Sequence, residues 1–139
     1  MTDLVLDASV ALSWCFQNEA TAAADTVLER LATETASVPA IWHLEIANVL
    51  ALSERRRRIT PAGSAEFVAL LVTLVTVVDE ETPSRALGRV LDLAREARLT
   101  AYDAAYLELA MRLGLPLASK DGDLCDAAER LGVSVLRAA

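Results

Sequence analysis

Short apolar runs separated by longer stretches of helical periodicity are the feature that most restricts how this sequence can fold. Leu4-Val5-Leu6 stops at Asp7, Val75-Thr76-Val77-Val78 is β-branched, and Leu115 to Ser119 and Val133 to Leu136 are of similar length. Ser37-Val38-Pro39 is a shorter strand candidate ending on proline. Runs this short and this apolar suit strands buried on both faces. Between them the spacing predicts helices starting at Ala8, over Ala20 to Thr33, Ile41 to Arg57, Ala62 to Leu74, Thr82 to Arg98, Thr100 to Met111 and Asp121 to Leu131. Thr60-Pro61 and Thr82-Pro83 are start signals, and Gly114 and Gly132 are stop signals. Such alternation predicts an α/β fold: a three-layer α/β/α sandwich around a central, mostly parallel sheet of four to five strands.

With 139 residues the chain has the length of one domain, residues 1–139, and its 54% hydrophobic content excludes a disordered polymer. Phe67 to Val78, the longest apolar stretch, is broken by Thr73 and Thr76 and is too short to span a membrane, which takes about 20 residues. Asp3 stands where a secretory leader carries a cation, so the start reads as mature, cytoplasmic sequence. Cys15 and Cys125 cannot form a disulfide framework and are expected to be reduced. Thirteen Lys and Arg against 20 Asp and Glu give a net charge of −7, which repels polyanions unless cations reverse the sign locally. His43 is the only histidine, which excludes two-histidine ribonuclease chemistry and HExxH zinc sites.

In a parallel α/β sheet, ligands bind beyond the carboxyl ends of the strands, where the strand order reverses. Asp7 follows the first strand directly and Asp121 follows Leu117-Ala118-Ser119 closely. Glu45 lies in a stripe formed by Ile41, Leu44, Asn48, Val49 and Leu52, and Asp103 lies in the first turn opened by Thr100. Each acid also has an ordinary role open to it. Asp7 can cap the next helix, Asp103 can complete a capping box, and Asp121 or Asp123 can cap a turn. Glu45 is harder to dismiss, because an unpaired acid on an apolar face is costly. Gathered together, such acids suit Mg²⁺ or Mn²⁺, which take oxygen ligands and can activate water against a phosphodiester. Ser9, Asn48 and Ser119 are candidates to orient those acids by hydrogen bonds.

Four segments carry a resemblance: Val5-Leu6-Asp7-Ala8-Ser9, Trp42 to Leu50, Leu99 to Tyr106, and Leu117 to Leu124. In this order they resemble a PIN domain, most closely the VapC toxin ribonucleases of type II (VapBC) toxin–antitoxin modules. The resemblance implies an endoribonuclease that depends on Mg²⁺, with Mn²⁺ able to substitute. Its catalytic and metal-binding acids would be Asp7, Glu45, Asp103 and Asp121, with Asp123 supplementing or flanking them. Ser119 stands where relatives often have threonine. The resemblance also implies a homodimer, an RNA substrate and a small VapB-like antitoxin. A housekeeping PIN nuclease of RNA maturation, or a non-catalytic PIN-like module that binds RNA or an antitoxin, remain alternatives.

Phosphate-transfer domains fit less well. Their phosphatase signature wants a second acid two residues after the nucleophile, where this chain has Ser9. Arg55-Arg56-Arg57-Arg58 is the only dense basic run; it reads either as a solvated helix end or as a contact for RNA phosphates. Trp14, Trp42, Tyr102 and Tyr106 are either core or base-stacking residues, and the helix from Ala62 to Leu74 is either core or a dimer face.

Overall fold

A computed structural model describes residues 1–139, and its sheet has five strands. The elements run β1 (Leu4–Leu6), α1 (Ala8–Ser13), α2 (Ala22–Arg30), β2 (Ala36–Val38), α3 (Trp42–Arg55), α4 (Pro61–Val72), β3 (Thr76–Val78), α5 (Thr82–Arg85), α6 (Leu91–Ala97), α7 (Ala101–Leu113), β4 (Leu117–Ser119), α8 (Gly122–Arg130) and β5 (Val135–Arg137). All strand pairs are parallel, in the order β3-β2-β1-β4-β5. Helices cover both faces, as the alternation predicts. The central strands β1, β2 and β4 are buried throughout, whereas the edge strands β3 and β5 are partly exposed. One continuous apolar core results, built around Leu4, Val5, Leu6, Leu107, Leu117 and Leu124.

Local chemistry sets the helix ends. Thr21, Thr60 and Thr100 each accept a hydrogen bond from the amide three residues on, and Pro61 occupies the first turn of α4, where its missing N–H costs nothing. Gly114 closes α7 in the left-handed region at φ 66°, which glycine adopts without steric cost.

Two expectations from the sequence need correction. The segment from Thr82 to Arg98 is not one regular helix; a π turn at Ala86–Val90 separates α5 from α6. That wide turn leaves Leu87 outside while Val90 and Leu93 enter the core. The inward face of α3 is also rotated. Trp42, Ile46, Leu50 and Ser53 are buried, while Leu44 is 72% exposed and Asn48 is exposed. Trp42 is the bulkiest side chain of the helix and takes the core position, turning the neighbouring stripe outward.

A buried ion network fastens α7 to the end of β3, which no local pattern foretold. Arg112 donates to Asp79 at 2.6 Å and to Glu108 at 2.8 and 3.1 Å, and Glu108 is nearly inaccessible. Burial pushes the Asp79 carboxyl up, but hydrogen bonds from Arg112, the Glu81 amide and Thr82 outweigh it and hold Asp79 below the usual carboxylate range. Its stabilising contribution is therefore present above about pH 4 and is lost as the pH falls through the folded pKa. Arg112→Ala leaves Asp79 without a cation and Glu108 with only Arg85, at 3.6 Å, and should destabilise the protein by about 3 kcal/mol at pH 7 in urea unfolding. A change within experimental error would show that the network is not structural.

Candidate active site

The strand order reverses between β1 and β4, and there Asp7 leaves the sheet beside Ser119. The Asp7 amide donates to the Ala118 carbonyl at 3.0 Å, so the turn after β1 is fixed to the end of β4. The Asp7 side chain is only 5% exposed. Its Oδ2 accepts hydrogen bonds from the hydroxyls of Ser9 and Ser119, both at 2.7 Å, whereas Oδ1 has only a long contact of 3.5 Å from the Ser9 amide. One oxygen is anchored and the other is nearly free of donors. Each serine also accepts from the loop that follows β4: Ser9 Oγ from the Lys120 amide, and Ser119 Oγ from the Asp121 amide. Burial pushes the Asp7 carboxyl up, and the two hydroxyls offset this in part.

The other acids come from the elements the sequence suggested. Glu45, in the first turn of α3, is half-buried and accepts a 2.5 Å hydrogen bond from Tyr106 Oη. Burial raises its carboxyl, the Tyr106 bond opposes the rise, and Asp7 adds repulsion. Asp103, one turn before Tyr106 on α7, is pushed up to about 6, by burial first and then by repulsion from Asp121, Asp7, Glu45 and Asp123. Its side chain caps nothing; the capping box is half-formed, with Thr100 taking the Asp103 amide. Asp121 does act as a cap, its Oδ1 accepting from the Leu124 amide at 2.9 Å. Asp7 combines the cap of α1 with a place in the crevice. Asp123 is exposed and is the weakest of the repelling acids at Asp103. Asn48 is exposed and hydrogen-bonds to none of these carboxylates, because the rotation of α3 carries it outward.

These side chains share one electrostatic basin, yet no three stand close enough to hold a metal ion among them. The donor set still fits a hard divalent cation. Asp7 Oδ1, the second Glu45 oxygen and the Asp103 carboxylate lack strong donors, and Mg²⁺ ordinarily binds through one or two carboxylates while keeping several waters. Asp7 and Asp103 would hold such an ion, with Glu45 and Asp121 reaching it directly or through water.

The Lys120 ammonium donates to the Glu19 carbonyl at 2.6 Å, and the Glu19 carboxylate pairs with Arg58 at 3.8 Å. Arg58 also lies over the Phe16 ring. Arg55, Arg56 and Arg57 are exposed and form no ion pair. Of the aromatic candidates for stacking, Trp42 and Tyr106 are buried and Trp14 Nε1 donates to the Ala24 carbonyl, so these serve the interior. Tyr102, 62% exposed, lines a groove with Leu44 and Glu45 and remains available. A separate apolar groove between α3 and α4, lined by Trp42, Ile46, Leu50, Val68, Leu71 and Val72, contains none of the acids.

The family model for the PIN domain matches residues 4–130, which include every acid just described. The chain belongs to the PIN domain family. A solved structure described as the crystal structure of PAE2754 from Pyrobaculum aerophilum shares its fold, with a TM-score of 0.72 over 97% of this chain and 91% of the other at 24% identity. No curated protein matches the chain. PIN domains have a nuclease-type fold and generally use divalent metal ions, in keeping with the acids at the β1–β4 boundary of this one.

Because folding raises the Asp103 pKa, ionisation of this residue opposes folding of the metal-free PIN domain: stability falls as the pH rises from about 4 to about 6 and stays reduced above. Asp103→Asn should therefore raise the melting temperature of the metal-free protein at pH 8, by the equivalent of about 1 kcal/mol or more, and much less at pH 4. Equal gains at both pH values in differential scanning fluorimetry would remove like-charge repulsion as the cause.

Proposed function

We propose that this PIN domain is a Mg²⁺-dependent endoribonuclease that hydrolyses RNA phosphodiester bonds, and that it is the VapC-like toxin of a type II toxin–antitoxin module. The nuclease reading rests above all on Asp7, a buried carboxylate with one oxygen clamped by two hydroxyls and the other open, set among acids that repel one another. When bound there, Mg²⁺, or Mn²⁺ in its place, lowers the pKa of a water and offsets charge developing on the phosphate oxygens. Asp7, Glu45, Asp103 and Asp121 orient and hold the ion, and Ser9 and Ser119 fix Asp7 for that task. Asp123 lies further out and supplements them.

Arg55, Arg56 and Arg57 bear unpaired charge on the side of the molecule where Arg58 and Lys120 converge on Glu19. They supply phosphate contacts that offset the net −7 of the chain. Tyr102 is exposed beside Glu45, suitably for stacking on a base. We assign the protein to the cytoplasm; no helix is long and apolar enough to cross a membrane. The toxin reading adds a VapB-like antitoxin, for which an acidic crevice favours a basic side chain, and a homodimer, for which exposed Val68 and Val72 on α4 offer apolar surface. A housekeeping nuclease of RNA maturation shares the same chemistry. A small antitoxin reading frame beside the gene separates the two. A non-catalytic module is disfavoured by the presence of all four acids.

Sequencing of RNA ends after induced expression tests the activity. Asp7→Asn, which keeps an acceptor for both serine hydroxyls, should retain the fold while lowering cleavage about a thousandfold, and EDTA should act likewise on the unaltered enzyme. Undiminished cleavage by Asp7→Asn would remove Asp7 from the catalytic set. Replacing Arg55, Arg56 and Arg57 by alanine should raise KM for RNA several-fold, flatten the salt dependence and leave kcat within about twofold. An unchanged salt slope would mark the run as a solvated helix end.

A further inference from the structure

Tyr106 is a fully buried polar side chain in contact with the acids, and its hydroxyl joins three elements of the site. It donates to Glu45 Oε1 on α3 at 2.5 Å and receives a hydrogen bond of 3.4 Å from the Ala8 amide, the residue after Asp7 at the start of α1. On α7 it stands three residues after Asp103, on the same side of the helix. Packing alone needs only the ring. A phenol sunk in a core requires a partner for its O–H, so a purely structural position is better filled by phenylalanine.

Glu45 has reason to move without that partner. Asp7 and Asp103 both repel it, and it is only half-buried, so rotation toward water would relieve both costs. The Tyr106 bond holds Oε1 inward and leaves Oε2 as the oxygen without a donor. The phenol cannot take over the charge, because burial and the neighbouring carboxylates push its pKa far above the ordinary value and keep it a donor.

We propose that Tyr106 is the positioning residue for divalent-metal binding in this PIN domain: its hydroxyl, fully buried between α3 and the start of α1, fixes Glu45 toward Asp7 and Asp103. The inference rests on the metal-dependent reading above and adds a residue to it. Groups that orient metal-ligating carboxylates typically change metal affinity about 10–100-fold when removed.

Mn²⁺ binding, followed by electron paramagnetic resonance on the intact protein, provides the test. Tyr106→Phe should keep the native circular dichroism spectrum and weaken Mn²⁺ about tenfold or more, and saturating Mn²⁺ should restore RNA cleavage. Glu45→Gln should weaken the metal as well, and Tyr106→Phe added to Glu45→Gln should cost nothing further, because the tyrosine acts through that glutamate. A purely structural tyrosine would give no such loss of additivity. Wild-type affinity in Tyr106→Phe, with weakened binding in Glu45→Gln, overturns the role of Tyr106 and leaves the metal site standing. Failure of the unaltered protein to bind Mn²⁺ overturns the metal-dependent reading and this role with it.

If Tyr106→Phe does not fold, the unaltered protein still decides the matter. It has two tyrosines, and Tyr102 is exposed, so ring-labelled tyrosine gives two separable signals. Titration with Mg²⁺ should shift the Tyr106 Cζ resonance as its acceptor becomes a ligand. A Tyr106 signal unmoved at saturating Mg²⁺ overturns the proposal.

Discussion

The arrangement of the site depends on how one carboxylate oxygen is held. Asp7 Oδ2 takes hydrogen bonds from Ser9 on its own helix and from Ser119 at the end of a strand 112 residues away. The same serines receive the amides of Lys120 and Asp121, so the turn after β1 and the loop after β4 are laced through two hydroxyl groups. Charge-assisted hydrogen bonds are among the stronger polar contacts in a fold, and here they act at the boundary where the sheet reverses. A buried acid is tolerated because its hydrogen bonds compensate one oxygen, while the other is left with a single long contact.

Around that anchor the chain accumulates a cost. Asp103, Glu45 and Asp121 come from separate helices, and burial and mutual repulsion raise two of these three carboxyls as well as Asp7. Nothing in the protein itself neutralises them; Lys120 turns to a main-chain carbonyl and Arg58 to Glu19. By contrast, the Arg112 network is compensated internally and lowers the pKa of Asp79. Two acidic clusters thus have opposite characters, one completed within the chain and one left open to an added cation.

Much of this could be read from the sequence, for physical reasons that differ from element to element. β1 and β4 were evident because strands buried on both faces need uninterrupted apolar residues, and the turn acids follow them directly. Thr60-Pro61 and Thr100 marked their helix starts because caps act within four residues. Asp7, Asp103 and Asp121 could be placed at one end because parallel strands put their carboxyl ends together. The face of α3 could not be read so well: Ile41, Leu44 and Val49 form as good a stripe as Trp42, Ile46 and Leu50, and only packing against the sheet selects between them. Asn48 accordingly makes no hydrogen bond to the carboxylates, although it shares a groove with Glu45. Arg112 with Asp79, and Tyr106 with Glu45, pair residues 33 and 61 apart, and no local period carries such information. A tyrosine one turn after a candidate metal-binding acid was the only available hint for the second pair.

The division of the sheet bears on how the protein comes into being. β1, β2 and β3 are sequential neighbours, and β4 and β5 are made last. Synthesis proceeds from the amino terminus, so the first three strands can associate while the rest is still unmade. Asp7 and Glu45 then exist without Asp103, Asp121 or the Ser119 hydroxyl. A nascent or prematurely terminated chain lacking α7 and β4 holds half a constellation, and the four acids are complete only once Asp121 has been added.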